Sequence, residues 1–483
     1  MSRPQPARTL LVLALPALSF SLAQTMLVPA FADLVEELHS DVATVTWLLT
    51  GYLVAAAVAT PLVGRLGDMF GKRRMLVLSL VAFTVGNAVS ALGTEVGVVI
   101  AGRVLQGVAG GLFPLTFGII RDEFPREKVA GGVGLISATI GIGGGVGLLV
   151  GGALVDAFGY PSIFWLSAAL SAMSLVAIAL FVPESPVRTH GKIDLRGALA
   201  LAVGLVLVLV AVSQGRTWGW GSASTIGAGI GGVVVLVLWL LLQRRTAEPL
   251  VDVAMLARPA VLITNTATLL IGFGMFGAYV LVPQLVEAPV STGYGFGASA
   301  THAGLLLLPG SVGMLVFGPV SGSLGARVGH RVSLGVGGVL ASLGLAMLAA
   351  FHGSNLAIAA WYFVVSAGIG FAFAAMPNLI LVSVPPDQTG QATGFNAVVR
   401  SVGSSVGTQV TAVVVVSSTS AGSLVPEESG YTAAFVLCAA VTAVAAVVAF
   451  LIPAGADQRH VRVGDELGAA SPLPQPAFSS DQA

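Results

Sequence analysis

The chain has 483 residues, of which 55% are hydrophobic and only 9% are charged, and its formal net charge is zero. Soluble domains carry about 25% charged residues, so this composition excludes an ordinary soluble protein and indicates an integral membrane protein. Cys438 is the only cysteine, which excludes an intramolecular disulfide and a cysteine-based metal site. The sequence shows no nucleophile–base set and no phosphate-binding loop, so we expect no enzyme activity, cofactor, metal site or nucleic-acid partner.

Apolar runs of about 20 residues predict membrane-spanning helices along nearly the whole chain. In order, the predicted spans are 10–31, 43–63, 75–94, 97–120, 131–153, 161–182, 195–214, 222–242, 260–286, 301–324, 332–351, 355–381, 391–417 and 432–453. The first run could also be a signal peptide, because Ser21-Leu22-Ala23 resembles a cleavage site. The run continues beyond that point, however, so we predict an uncleaved first helix and an all-α membrane protein of fourteen spans.

Basic residues indicate how these spans are oriented. Nearly all of the 22 Lys and Arg residues lie in the tails or in loops that follow spans 2, 4, 6, 8 and 10. Basic loops remain on the cytoplasmic side, so we predict a multi-pass protein of the inner (plasma) membrane with both termini in the cytoplasm.

A charged stretch between spans 2 and 3 has a second, weaker copy between spans 10 and 11. Gly64–Arg74 and Gly322–Arg331 share Gly-x-Leu-Gly, a later Gly and a final Arg, and they start 258 residues apart (322 − 64 = 258). One such stretch alone could be an ordinary basic loop, but the repeat predicts two related membrane halves. We predict pseudo-symmetric six-helix bundles at 1–194 and 260–453, two inserted helices and a cytoplasmic linker at 195–259, and a disordered cytoplasmic tail at 454–483.

Three motifs in this order make the chain similar to the fourteen-span drug:proton antiporters of the major facilitator superfamily. The loop motif is matched by Gly64, Leu66, Asp68, Gly71, Lys72 and Arg73. The span 4 motif is matched by Arg103, Gln106 and Gly107, and the span 5 antiporter motif by Gly143, Gly147, Gly151 and Gly152. The span 5 motif departs from the family at Leu148, which stands where a proline is expected. The resemblance implies the major facilitator fold, in which Asp68 faces a helix N-terminus of the opposite half and latches one alternating-access state.

The resemblance also implies a function, which is export of hydrophobic or amphipathic small molecules coupled to protons. The implied partners are the lipid bilayer, a small-molecule substrate and protons, and we expect a monomer. Ala23 occupies the position of the acid that the family usually carries in span 1. This departure keeps open a second hypothesis, a carrier of one specific metabolite such as an anion. A membrane sensor or channel is a third hypothesis, which the repeated charged stretch disfavours, because such repeats are typical of transporters built from two related halves.

Two arginines fall within predicted spans, where a charge is costly and marks a candidate functional site. Arg103 lies in the outer half of span 4, and Arg400 lies about 14 Å deep in span 13 at 1.5 Å per residue. We expect Arg103 to reach outward to Asp33, directly or through water, and Asp33 would then supply the coupling acid that is missing at Ala23. The alternatives are that Asp33 only faces water and that each arginine is a structural tie.

By resemblance, spans 1, 9 and 12 line the central cavity. Aromatic and amide side chains in these spans suit a bulky amphipathic ligand, although packing or lipid contact is an equal alternative for any one of them. The predicted substrate-binding residues are Gln24, Asn265, Phe273, Phe276, Tyr279 and Asn378.

Overall fold

The computed structural model of the chain describes residues 6–28, 30–40, 42–187, 194–419 and 425–453. No strand occurs among these residues. The α-helices in the described ranges are α1 (Pro6–Thr25), α2 (Phe31–Glu37), α3 (Val42–Phe70), α4 (Lys72–Leu92), α5 (Val96–Gly107), α6 (Leu112–Glu123), α7 (Arg126–Phe158), α8 (Pro161–Phe181), α9 (Leu195–Trp218), α10 (Ala223–Arg245), α11 (Val253–Leu256), α12 (Pro259–Glu287), α13 (Ala300–Val328), α14 (His330–Ala350), α15 (Asn355–Ser383), α16 (Thr389–Ser417) and α17 (Glu428–Phe450).

Fourteen helical segments in the described ranges are long and apolar enough to cross a bilayer, which confirms the predicted number of spans. The short helices α2 and α11 are not among them. The fourth span is composite, because α5 and α6 are joined by one turn of 3-10 helix at Val108–Gly111. The all-α membrane fold predicted from the sequence is therefore confirmed. The predicted tail at 454–483 lies outside the described residues.

Two predicted spans differ from the observed helices for identifiable reasons. The first span ends at Thr25 rather than at residue 31, and a turn separates it from α2. Hydropathy places the end later, because residues 26–31 are apolar and a turn of apolar residues has the same hydropathy as a helix. The fourth span is not one continuous helix, because Pro114 lacks the N–H that would bond to the carbonyl of Gly110.

The two turns that carry the repeated motif lie at the same end of the helix bundle. The turn at Gly71 joins α3 to α4, and the turn at Gly329 joins α13 to α14. We call this end of the molecule the hairpin end and the opposite end the far end. The first half (α1 to α8) contacts the second half (α12 to α17) mainly where α3 meets α16 and where α7 meets α13.

Each half has its own apolar core. Phe83, Leu76 and Leu115 are fully buried in the first half, and Phe435 and Leu345 are fully buried in the second. Lipid tails are as apolar as these side chains, so close packing rather than escape from water holds the helices together within the membrane.

The inserted helices α9 and α10 pack on each other and lie at the edge of the molecule. Helix α9 also contacts α3 and α16, and Trp239 of α10 stacks on Phe395 of α16 with ring centroids 6.5 Å apart. The remaining face of α10 is apolar and exposed, as at Ile230 and Leu238, which suits contact with lipid. The division at 1–194, 195–259 and 260–453 stays a prediction that these contacts support.

Candidate functional site

The turn between α3 and α4 depends on Gly71, whose φ of 110° is a backbone conformation that other residues rarely adopt. The carboxylate of Glu184 lies against this turn and accepts hydrogen bonds from the backbone N–H groups of Arg73 (3.1 Å) and Arg74 (3.2 Å). These N–H groups lie in the first turn of α4 and have no acceptor within the helix, so Glu184 caps the N-terminus of α4.

We expect Gly71→Ala to destabilise the protein more than Gly219→Ala does. Both glycines have positive φ, which costs an alanine about 1–3 kcal/mol. A Cβ atom at Gly71 would also lie 2.6 Å from Oε1 of Glu184, whereas nothing lies within 4 Å of a Cβ at Gly219. Thermal unfolding of the purified variants measures the difference. Equal losses in the two variants would contradict this role for Glu184.

Asp68 joins the two halves of the molecule at the hairpin end. Its carboxylate is fully buried and accepts hydrogen bonds from the backbone N–H groups of Gly390 and Gln391, each at 3.1 Å. These groups belong to the first turn of α16, where the helix dipole favours a negative charge. Gly64 lies one helical turn before Asp68, and its lack of a side chain lets α3 approach the backbone of Gly390. We call these cross-half hydrogen bonds of Asp68 the latch.

A buried network of charges surrounds the latch. The ammonium group of Lys72 lies 2.6 Å from Asp122 and 3.8 Å from Asp68, and none of these side chains is appreciably exposed. The hydroxyl group of Ser185 donates a further hydrogen bond to Asp122. A buried charge without a partner is costly, so the two acids and the lysine depend on one another. The structure therefore brings together the predicted residues Gly64, Asp68, Gly71, Lys72 and Arg73.

Arg121 is a second connection between the halves, which the sequence analysis missed. Its guanidinium group donates to the carbonyl of Val384 at 2.8 Å and to the hydroxyl of Thr389 at 2.7 Å. Both acceptors lie beside the start of α16, so Arg121 and Asp68 hold the same segment of the opposite half. The sequence feature that could have indicated this contact is the charged pair Arg121-Asp122 at the end of an otherwise apolar span.

Arg103 is a completely buried residue in the core of the first half. Its guanidinium group donates to the carbonyl of Leu48 (3.0 Å) and to the side chain of Gln106 (2.8 Å), and it lies over the ring of Tyr52 at 4.1 Å. A further contact reaches the carbonyl of Ala23 at 3.4 Å. Cation–π attraction and these acceptors offset part of the cost of burying the charge.

The predicted direct contact between Arg103 and Asp33 is wrong. Arg103 turns inward to carbonyl groups of α1 and α3, and Asp33 lies on the separate helix α2. Depth along a helix fixes the level of a side chain in the membrane but not the direction in which it points. Gln106, predicted beside Arg103, does contact it, and Gly107 allows close packing on the backbone of Tyr52. The coupling role of Asp33 stays a prediction.

Three predicted antiporter-motif glycines form the face of α7 that packs on α1. A Cβ atom at Gly143, Gly147 or Gly151 would collide with Ser21, Thr25 or Met26 respectively. The hydroxyl of Thr25 also donates to the carbonyl of Gly143 at 2.5 Å. Small residues let membrane helices approach this closely. Gly152 lies on the same helix, but it is partly exposed.

We expect Gly147→Val to impair folding and Gly144→Val to be tolerated. A side chain at position 147 overlaps Thr25, whereas nothing lies within 4 Å of a Cβ at position 144. Overpacking of a close helix contact costs about 1–3 kcal/mol. The yield of monodisperse protein after extraction from the membrane and its thermal stability measure the effect. Similar behaviour of the two variants would contradict the packing role of this face.

Arg400 lies on α16, in the second half. Its guanidinium group stacks over Phe373 of α15 at 4.8 Å, and it makes no hydrogen bond or ion pair among the described residues. Unlike the buried Arg103, Arg400 is partly exposed. The alternative of a tie to backbone carbonyls is not observed, so the arrangement leaves its donors available for a ligand.

The predicted substrate-binding residues lie on three helices, α1, α12 and α15. Asn265 accepts a hydrogen bond from Asn396 at 2.8 Å, and Phe276 packs beside Tyr279 with ring centroids 6.1 Å apart. Asn378 is buried near the hairpin end, where it donates to the carbonyls of Ala374 (2.8 Å) and Ala130 (3.4 Å). Gln24 and Phe273 are partly buried on α1 and α12. A substrate role for these six residues stays a prediction.

Fourteen apolar helices in two groups, with a buried charged contact between them, are the arrangement expected of a membrane transporter. The family model of the Major Facilitator Superfamily matches residues 13–408 and 265–482, so the chain belongs to this superfamily.

Individual relatives support the same assignment. The Tetracenomycin C resistance and export protein of Streptomyces glaucescens is 28% identical over 420 residues, which cover 86% of this chain and 77% of that protein. Multidrug resistance protein 3 of Bacillus subtilis (strain 168) is 27% identical over 82% of this chain and 77% of its own length. The Uridine/deoxyuridine transporter of Lactococcus lactis subsp. cremoris is 29% identical over 78% of this chain and 81% of its own length.

A solved structure shows the same fold. The crystal structure of the human organic anion transporter MFSD10 (TETRAN) has a TM-score of 0.67 to this chain at 16% sequence identity. The match covers 93% of this chain and 100% of that one.

Proposed function

We propose that the protein exports hydrophobic or amphipathic drug-like compounds by proton-coupled alternating access. The observation that carries the proposal is the latch, because Asp68 contacts the other half at the hairpin end only and its bonds can break when the halves rock apart. Two relatives are named for tetracenomycin C resistance and export and for multidrug resistance, and these names suggest the substrate class.

The distribution of basic residues supports the orientation of the molecule in this proposal. The hairpin end carries Lys72, Arg73 and Arg74 and faces the cytoplasm, with both termini on the same side of the inner (plasma) membrane. The latch then makes the structure a state that is closed to the cytoplasm. The protein acts as a monomer and needs no cofactor in this proposal.

Arg103 and Arg400 are the charged groups of the transport pathway in this proposal. Arg103 contacts α1 and α3 from its own helix α5, so a change in its contacts would alter the packing of all three helices. Arg400 has donors without a partner among the described residues, so it is the better candidate for direct contact with a substrate.

Transport into proteoliposomes tests the function. Vesicles that are acidic inside should take up ethidium or 2-(hydroxymethyl)anthraquinone through inside-out molecules, and a protonophore should abolish the uptake. An uptake rate that is the same with and without the pH gradient would contradict proton coupling. Failure to transport either compound would contradict drug export.

A carrier of one specific metabolite is the second candidate function. The guanidinium group of Arg400, which has no hydrogen-bond or ion-pair partner among the described residues, favours it. Similarity to a protein named for uridine and deoxyuridine transport favours it too. Uridine and a small carboxylate such as benzoate belong in the same vesicle assay. Selective uptake of one of them, without ethidium or the anthraquinone, would favour this candidate.

A further inference from the structure

A cavity of about 410 Å³ opens near the far end of the molecule, between an inserted helix and the second half. Its walls come from α9, α12 and α16 and belong to neither the latch nor the Arg103 cluster. The lining residues are Ser213, Thr217, Val280, Gln284, Thr408, Gln409 and Ala412.

The cavity reaches from the membrane surface into the hydrocarbon region. Thr217 and Gln284 lie within three residues of the far ends of α9 and α12. Gln409 lies eight residues before the end of α16 at Ser417, which is about 12 Å along the helix at 1.5 Å per residue. The floor of the cavity is therefore at a depth where polar groups are expensive unless they serve a function.

The lining is polar but carries no formal charge. Five of the seven lining side chains are hydroxyls or amides, and no Asp, Glu, Lys, Arg or His is among them. The amide oxygen of Gln409 is buried and has no hydrogen-bond partner in the described part of the chain. A buried acceptor in this condition costs about 1–3 kcal/mol, which a ligand hydroxyl or N–H could recover.

We propose that this cavity is a second ligand site, which holds the uncharged, hydroxyl-bearing part of an exported compound on the outer side of the membrane. This inference rests on the proposed function for the identity of the ligand as an export substrate. The volume lies within the range of small-molecule sites, and its uncharged lining selects against ionised groups, which would be desolvated without a counter-charge.

The site gives the inserted helix α9 a direct role in ligand binding. Ser213 and Thr217 of α9 supply one wall, while α12 and α16 of the second half supply the others.

Cysteine labelling in proteoliposomes tests whether the cavity is open to water. Cys438 is completely buried, so the unaltered chain should give little labelling. Ala412→Cys, inside the cavity, should react with a membrane-impermeant methanethiosulfonate added from the far-end side. Val413→Cys is the matched control, because Val413 points away from the cavity and is exposed on the apolar surface. It should react at least tenfold more slowly, and equal rates would overturn the proposal.

Ligand protection tests the chemistry of the site. 2-(Hydroxymethyl)anthraquinone, which carries one free and uncharged hydroxyl, should slow labelling of Ala412→Cys at least threefold, whereas the parent anthraquinone at equal concentration should not. Adding Gln409→Leu, or Gln284→Leu as a second variant at the exposed rim, removes a hydrogen bond to the ligand. Either change should raise the ligand concentration needed for half-maximal protection by about fivefold to tenfold. Equal protection by both compounds, or protection unchanged in both variants, would overturn the proposal.

The assay separates this inference from the proposed function. If protection occurs but uptake of the anthraquinone in the transport assay does not, the site exists and the export proposal fails. If uptake occurs without protection, the export proposal stands and the second site is wrong.

Discussion

Asp68→Asn should reduce drug uptake at least tenfold while leaving the protein inserted and folded. The asparagine keeps the shape of the side chain but loses the charge, and only its oxygen can accept from the N–H groups of Gly390 and Gln391. Hydrogen bonds to a charged group contribute about 1.5–3 kcal/mol, and 1.4 kcal/mol is a tenfold change in an equilibrium. The equilibrium constant for closure at the hairpin end should therefore fall roughly 10- to 100-fold.

Initial rates of uptake at matched protein levels measure this effect. Asp156→Asn is the control, because Asp156 is exposed at the far end of the molecule. Its side chain makes no ion pair or hydrogen bond among the described residues. The control should transport like the unaltered protein. A normal rate in Asp68→Asn would show that the charge of the latch is dispensable.

Arg103→Lys should also lower uptake at least tenfold, although it preserves the charge. The guanidinium group reaches the carbonyl of Leu48, the side chain of Gln106 and the ring of Tyr52 at once. A lysine ammonium is a compact point charge that cannot reproduce this planar arrangement. Each buried acceptor left without a donor costs about 1–3 kcal/mol, so the packing of α1, α3 and α5 on one another should weaken.

The exposed Arg126→Lys is the matched control and should have no effect on uptake. Thermal stability is measured on both variants to separate loss of folding from loss of transport. If Arg103→Lys keeps at least half of the normal rate, the geometry of this cluster is not needed for transport.

The sequence was sufficient to predict features that depend on neighbouring residues. Fourteen spans follow from hydropathy, and the turn at Gly71 follows from glycine spacing. The predicted partner of Asp68 was only a helix N-terminus in the opposite half, because the hydrogen-bonding residue Gln391 lies 323 positions away. Asp122 and Glu184 were missed for the same reason, being 50 and 111 positions from their partners.

The direction of side chains within the membrane could not be predicted. Periodicity indicates which residues share a helix face, but it does not show which neighbour that face meets. Arg103 therefore was expected at Asp33 and is found at Leu48 and Gln106. The polar wall of α9 was missed because two hydroxyls in an apolar span gave too weak a signal.

Distances between the two halves test alternating access most directly. Spin labels at Leu180→Cys and Phe450→Cys report the hairpin end, and labels at Leu92→Cys and Leu356→Cys report the far end; all four positions are exposed. Double electron–electron resonance in lipid nanodiscs compares each pair with and without Asp68→Asn. We predict that loss of the latch lengthens the hairpin-end distance and shortens the far-end distance. Unchanged distances, or lengthening at both ends together, would contradict a latch that controls which side of the transporter is open.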